Sequence, residues 1–486
     1  MYRMKLAYKT GLFAIAIALA SCEAVDPFET INPNIGEDDV IGVANSSISW
    51  KAGLDRQMAI TFNQIGVLSE IASDNYDNIN TFYNQFVDDF NIQWQDNDIN
   101  VAHRGIGRLR EKALFGINEV GPNDPAGFSD ATRAEYYFYL GVSYLYAAEF
   151  FNELPQEDKG PLVSRTGNLN SAVAAFGSAL TADPSHVGAM IGRARAYYHL
   201  GDATNAVSDA NDALAADPDY VRFIEFDPVN SSGNNNGFDY TKNNMQLALQ
   251  ERGGFDDLQP LPTLDFLDPK VYSISGSQDS PIPLMKAEEA HLIIAEAQIA
   301  GTNLAGAATT LNNLLTLVAS RPSNTFDDST EDRHERDPGS RPDTTAAVVN
   351  GRTGLVLNRK AGDVTVPAIS GTSADGAEIA AAVTAGEDAM LTLLYRMRQE
   401  IFIAEGRRFK DMGLSYVISE VEALQNENIG AGHPSTISDL PAFLVAIAGE
   451  ADEIDYDPTT YVCTVTHDVN AIIVANKTDD AVCPFH

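Results

Sequence analysis

The chain has 486 residues, 44% of them hydrophobic, which is enough for a large core and too apolar for disorder. Its 32 basic and 68 acidic side chains leave a net charge of −36. Such a surface lacks the clustered Lys and Arg that phosphates need, so nucleic acid is excluded as a partner and a neutral or cationic ligand is favoured.

Chain order begins with Arg3, Lys5 and Lys9, ahead of the apolar stretch 11–20 and then Leu19-Ala20-Ser21-Cys22. A basic start, a short apolar core and small residues at the break describe a secretory signal. At ~1.5 Å per residue the core is too short to cross ~30 Å of hydrocarbon. The ending has the form of a bacterial lipobox. Residues 1–21 are therefore expected to be a signal peptide, Cys22 the lipid attachment point and 22–40 a polar tether. Several acyl chains on Cys22 would hold firmly, at ~0.8 kcal/mol per buried CH₂. Glu23 and Asp26 resemble the surface-export signal of Bacteroidota lipoproteins, which implies an outer-membrane address facing outwards.

Helical patterning starts at residue 46. Trp50, Leu54, Met58, Phe62, Ile65 and Leu68 recur at steps of three and four and predict one buried stripe over 46–71. Further helices are expected at 99–114 and at 131–151. The latter is dense in aromatics and ends before Pro155. Next comes a repeat: Ala179-Leu180-Thr181-Ala182-Asp183-Pro184 returns as Ala213-Leu214-Ala215-Ala216-Asp217-Pro218, at an offset of 34 residues from Asp183 to Asp217. Gly167, Ala172 and Val173 match Gly201, Ala206 and Val207 at the same offset. That period is the tetratricopeptide signature. Because such units bury their apolar faces against neighbours, helices at 131–151 and at 284–300 and 304–318 are expected to stack on either side. The tetratricopeptide-type units thus cover about 131–220 and 284–318, joined by a helix at 388–412. A smaller helical piece is expected at 440–448. Stretches 72–98, 221–283 and 319–380, rich in Asn, Gly, Asp and Pro, read as long irregular loops, the middle one broken by a short helix at 243–251. Two cysteines remain, Cys463 and Cys483. In an oxidising compartment a disulfide between them is expected, closing a loop of about twenty residues and contributing ~3 kcal/mol; two free thiols are the alternative.

The order of these pieces resembles the SusD/RagB family of nutrient-uptake lipoproteins. The resemblance rests on Cys22, on Ser73-Asp74-Asn75 after the first helix, on the mid-chain repeat and on Asp268-Pro269-Lys270. It rests also on the stretch from Lys286 through Glu289 to Ala295-Glu296-Ala297, and on Arg398-Gln399-Glu400 through Glu405-Gly406-Arg407-Arg408 to Asp411-Met412. Lys stands for the family's Arg at 270 and 286, and the Arg that follows the Leu-Asn helix is displaced to Arg321. The resemblance implies a mostly α-helical, SusD-like fold over 41–486, built on tetratricopeptide-type helix pairs with long irregular loops. It implies that the tetratricopeptide side docks on a SusC-like TonB-dependent transporter while loops on the other side hold an oligosaccharide or a peptide. The motif charges read as structural ties: Glu405 with Arg408 and Arg407 with Asp411 at helical spacing, Glu289 and Glu296 with an Arg from a neighbour.

No constellation for catalysis stands out. There is no zinc helix and no phosphate loop, and the eight His are scattered. The stretch 371–375 is one glycine short of a nucleophile elbow. Acid pairs such as Asp88-Asp89 and Asp256-Asp257 read as solvated faces, and Asp327-Asp328 with Glu331-Asp332 lacks the glycine-containing calcium loop. No catalytic residue, metal or cofactor is expected. Sugars are held by aromatic faces and planar polar groups, so the candidate ligand contacts are Asp74, Asn75, Tyr76, Asn78 and Tyr83, then Tyr240 and Phe255 with Phe238. Trp50 is assigned to the core. The competing readings are a tetratricopeptide adaptor lipoprotein that scaffolds an outer-membrane complex, and a surface hydrolase, which the missing constellations disfavour.

Overall fold

The apolar stripe that begins near Trp50 becomes helix α1, Ser46–Ile71, with Leu54, Met58, Phe62, Ile65 and Leu68 buried along one side. Trp50 lies at the rim of that stripe, half-buried, its indole Nε1 donating to the Lys112 carbonyl at 2.8 Å. The computed structural model describes residues 41–78, 84–226, 258–268, 279–327, 341–358, 361–430 and 432–486. Helix α2, Asn97–Phe115, is capped by Asp96, and α3, Asp130–Phe150, by Ser129, each side chain accepting a backbone N–H of the first turn. Helices α1, α2 and α3 pack on one another.

From α3 the helices form a stack. Helices α4 (Arg165–Ala182), α5 (Val187–His199) and α6 (Ala203–Ala216) carry the 34-residue repeat. Small residues set their spacing. The Phe176 ring of α4 sits against Gly141 of α3 and Gly192 of α5, and a Cβ at either glycine would lie 2.6 Å from it. The α5–α6 corner is a Schellman turn: Gly201 takes φ 73°, its N–H donates to the Tyr198 carbonyl, and Asp202 N–H donates to Tyr197 before the Asp202 side chain caps α6. Helix α7 (Ala287–Ala300) packs on α6 and α5, and α8 (Leu304–Ser320) packs on α7. The expected stacking before and after the repeat is what the structure has. Helix α9 (Gly376–Ala385) then packs on α8, and α10 (Glu387–Ile401) on α9 and α7.

Short strands fasten the loops. In chain order they are β1 (Tyr76–Asn78), β2 (Glu153–Pro155), β3 (Leu162–Ser164), β4 (Val221–Ile224), β5 (Leu258–Pro260), β6 (Ile282–Lys286), β7 (Ser323–Asp327), β8 (Val348–Val349), β9 (Arg352–Thr353), β10 (Asp363–Pro367), β11 (Ile454–Asp457) and β12 (Val462–Val465). Antiparallel pairs form between β1 and β5, β2 and β3, β4 and β6, and β7 and β10, and a four-stranded sheet has the order β11-β12-β8-β9. Among the described residues no helix is long and apolar enough to cross a membrane.

Four expectations are corrected. The helix expected over 388–412 breaks after Ile401, because Ala404 and Gly406 take φ 63° and 68°; only a short helix α11, Arg408–Asp411, resumes. Its charges therefore do not pair within one helix. Arg407 bonds Glu289 at 2.5 Å, Arg398 bonds Asp411 at 2.8 Å and Lys286 bonds Glu405 at 2.6 Å. The stretch 319–380 is not one irregular loop, since β7 to β10 and α9 lie in it. The helical piece expected at 440–448 shrinks to Ala442–Val445. Finally, Cys463 and Cys483 are free thiols, the first in the small apolar cluster with Val349 and Val356, the second in the main core. Burial pushes them up to about 11 and about 12, well above the range of reactive thiolates. The short helix expected at 243–251 lies outside the described residues.

Candidate functional site

The segment after α1 has two different halves. Its first half is sealed. Asp74 is 3% exposed and receives Arg408 at both oxygens, Nε at 2.5 Å and Nη2 at 2.8 Å. Asn75, fully buried, donates to Glu70 at 2.8 Å, and Gln399 donates to both Asp74 and Asn75 at 3.1 Å. Asn470, from helix α12 (Val469–Ala475), closes the network by donating to Gln399 and accepting from Arg408, each at 2.8 Å. Such a buried, satisfied set of charges orients elements and offers nothing to a ligand. Tyr76 and Asn78 point inward from β1, whose register pairs Tyr76 with Pro260 and Asn78 with Leu258; both are buried. Asp74, Asn75, Tyr76 and Asn78 are thus not a ligand surface here, because the family motif at 398–412 and strand β5 cover them. Tyr83, Tyr240 and Phe255 lie outside the described residues. Cys22 does too.

The second half is open. A short helix, Asn84–Asp88, presents Phe86, 38% exposed, while Val87 beside it goes into the core. The chain then reverses at Phe90, φ 59°, with Asn91 N–H bonded to the Phe86 carbonyl at 2.7 Å. Burial alternates from there to a turn in which Asp96 N–H donates to the Gln93 carbonyl at 3.1 Å. Ile92 is buried and Trp94 half-buried, while Asn91, Gln93 and Gln95 face solvent. Phe86, Val87, Asn91, Gln93, Gln95 and Asp96 enclose a shallow groove of about 80 Å³. One aromatic face beside a row of amides is the chemistry expected of a sugar contact, and it lies within the 72–98 stretch. Sequence reasoning missed Phe86, Gln93 and Gln95. The signal was present in the alternation of amides with Ile92 and Trp94. Burial raises the Asp96 carboxyl, although it accepts the Asp98 N–H at 2.8 Å.

A larger polar cleft, about 390 Å³, opens between β2, β3, the start of α4 and residues 415–439. It offers carboxylates from Glu153 and Asp439 but no exposed aromatic face, since its Tyr416 is buried. Arg165 there is held by the Ala148 carbonyl at 2.9 Å and by Ser415, and burial lowers it to about 10. The cleft lies at the seam between the start of the repeat and residues 415–439.

Behind the groove, the same short helix sends Asp88 the other way. Asp88, Asp77 of β1 and Asp452 bring one carboxylate oxygen each within 4.8 Å of the others. The sequence alone predicts a solvated face for Asp88; the fold instead half-buries it among acids. The near-elbow at 371–375 is also structural: Thr372 and Ser373 bond Glu400, and Asp375 caps α9 in a capping box with Glu378.

The tetratricopeptide repeat family matches residues 158–221, the stretch that runs through α4, α5 and α6. Among curated protein sequences none matches the chain. Among solved structures it is similar to a SusD superfamily protein from Bacteroides fragilis, at 13% identity and a TM-score of 0.54, over 81% of this chain and 100% of that one. It is similar also to a candidate sugar-binding protein from Bacteroides vulgatus, at 12% identity and a TM-score of 0.52, over 81% and 99% of the two chains. The chain therefore has the SusD fold, a mostly helical body built on a tetratricopeptide segment and fastened by small sheets.

Proposed function

We propose that the protein is a non-catalytic, lipid-anchored receptor that binds a neutral oligosaccharide and delivers it to a SusC-like TonB-dependent transporter. The observation that carries this reading is the groove at Phe86. An aromatic ring stacks on the C–H face of a sugar, and the amides of Asn91, Gln93 and Gln95 offer donors and acceptors to its hydroxyls. A groove this shallow touches one face of a glycan chain instead of enclosing it. The net charge of −36 favours uncharged glycans over anionic ones. The shared fold with the candidate sugar-binding protein supports the same ligand class. Tyr83, Tyr240 and Phe255 are further contacts in this proposal, and Cys22 is the anchor.

Affinity electrophoresis against a panel of neutral polysaccharides tests the ligand. At least one should retard the protein, and Phe86→Ala should weaken that interaction about tenfold, or ~1.4 kcal/mol, with an unchanged melting temperature. Retardation by none, with binding of peptides instead, would move the reading to a peptide ligand; retardation untouched by Phe86→Ala would move the site. Cys22→Ala should release the protein from membranes, and its retention in the membrane fraction would sink the anchor. Co-purification of a large β-barrel from detergent-solubilised outer membranes supports delivery to an importer, whereas assembly factors in its place would favour the adaptor reading.

A further inference from the structure

We propose that Asp77, Asp88 and Asp452 form a binding site for one divalent cation, calcium in preference to magnesium. The inference goes beyond the glycan reading and does not depend on it. The three carboxylates come from β1, from the short helix after it and from the segment just ahead of β11, and one oxygen of each lies within 4.8 Å of the other two. The second observation is an orphan atom. Asp452 Oδ2 is sealed from solvent and has no hydrogen-bond partner among the described residues. A buried acceptor left unpaired costs free energy, and one aimed among like charges costs more.

The charges around the cluster do not cancel. Arg341 bonds Asp77 and the Pro260 carbonyl, so among the described residues one guanidinium faces the three carboxylates. Asp89 adds to the negative field at Asp88. Asp74 adds to it at Asp452, but its own charge is matched by Arg408. The deficit left by three carboxylates and one guanidinium is that of a doubly charged ion. Burial, then repulsion from Asp452 and Asp77, drives Asp88 well above the usual carboxylate range, and burial with the repulsion of Asp77 pushes Asp452 up to about 7. The donor set is oxygen only, with no His or Cys within it, which fits a hard ion. Asn78 N–H donates to Asp88 Oδ2 at 3.1 Å. Segments so far apart in sequence suit the larger, more adaptable coordination of calcium better than the strict octahedron of magnesium. This distance in sequence is also why no calcium motif was legible.

The full chain, stripped with a chelator, should be titrated with calcium chloride by calorimetry at physiological ionic strength. So acidic a surface binds calcium loosely, so the readout is one tight equivalent per chain above that background. At a hundredfold excess over Kd the melting temperature should rise by about 3 °C, and magnesium should bind at least about tenfold more weakly. Asp452→Asn and Asp88→Asn keep shape and remove charge; each should abolish the tight equivalent while the circular dichroism spectrum stays that of the folded chain. Arg341→Gln, which removes the nearest positive charge, should tighten it. A wild-type chain with no tight equivalent overturns the proposal by itself. So does a tight equivalent that survives in both Asp variants, or, should those fail to fold, one that Arg341→Gln leaves unchanged.

Discussion

Asp74 and Arg408 meet across 334 residues of sequence, and that distance explains why Asp74 and Asn75 look like ligand contacts when the sequence is read alone. A window around residue 74 shows polar side chains beside tyrosines, which is also what a binding loop looks like. Only the partner at 408 turns those residues into a buried joint. The charges of the 398–411 motif are legible as ties from their three- and four-residue spacing, but the partners are not, because the helix that spacing assumes breaks after Ile401. Glu296 shows what such burial does to a titration. Its Oε2 accepts the Tyr198 hydroxyl at 2.8 Å, and burial outweighs the attraction of Arg398 to push it up to about 7 from 4.5. The folded chain then holds this proton more tightly than the unfolded one. The resulting stability is complete below about pH 4.5 and is lost as pH rises through 7. Glu296→Gln keeps an acceptor for Tyr198 and should remove a slope worth up to about 3 kcal/mol between those limits. Urea melts of both chains at a series of pH values decide it; parallel curves would place the titration elsewhere.

At the scale of elements, the repeat was the most legible part of the chain. Its period fixes where helices end, and the two small residues that accept Phe176 lie on the neighbouring helices as stacking requires. The turn between α7 and α8 repeats the α5–α6 corner without its glycine. Thr302, at φ 58°, donates to the Ile299 carbonyl at 2.8 Å, and Asn303 donates to Gln298 and then caps α8. A β-branched residue is poorly suited to that left-handed conformation, which costs an L-residue ~1–2 kcal/mol. Thr302→Gly should therefore stabilise the protein by about 0.5–1 kcal/mol despite the added freedom of the unfolded chain, and a lower denaturation midpoint would contradict this. The break after α10 was not legible. Ala404 is a strong helix former, and long-range contacts hold the chain out of the helix there: Lys286 reaches the Ile401 carbonyl at 2.7 Å and Glu70 accepts the Gly406 N–H at 2.8 Å.

For the whole molecule, fold class followed from periodicity, which is local. The groove and the carboxylate cluster depended on which strands and loops meet, which is not. The C-terminal helix illustrates the difference. Val469, Ile473 and Val474 of α12, with Val482 and Cys483 beyond it, fill the main core, and Asn470 completes the joint at Arg408 and Gln399. Each buried aliphatic side chain contributes ~1.5–3 kcal/mol, and a domain has a net margin of ~5–15 kcal/mol. A chain ending at residue 467 should lack a cooperative melting transition and be rapidly cleaved in limited proteolysis; a sharp melt would show that α12 is dispensable. The joint also sets a timetable. Glu70, Asp74 and Asn75 are made long before their partners at 399, 408 and 470, so α1 waits for α12 to finish its packing. A nascent chain therefore stays open at this joint, and α1 becomes rigid there only once α12 has been delivered.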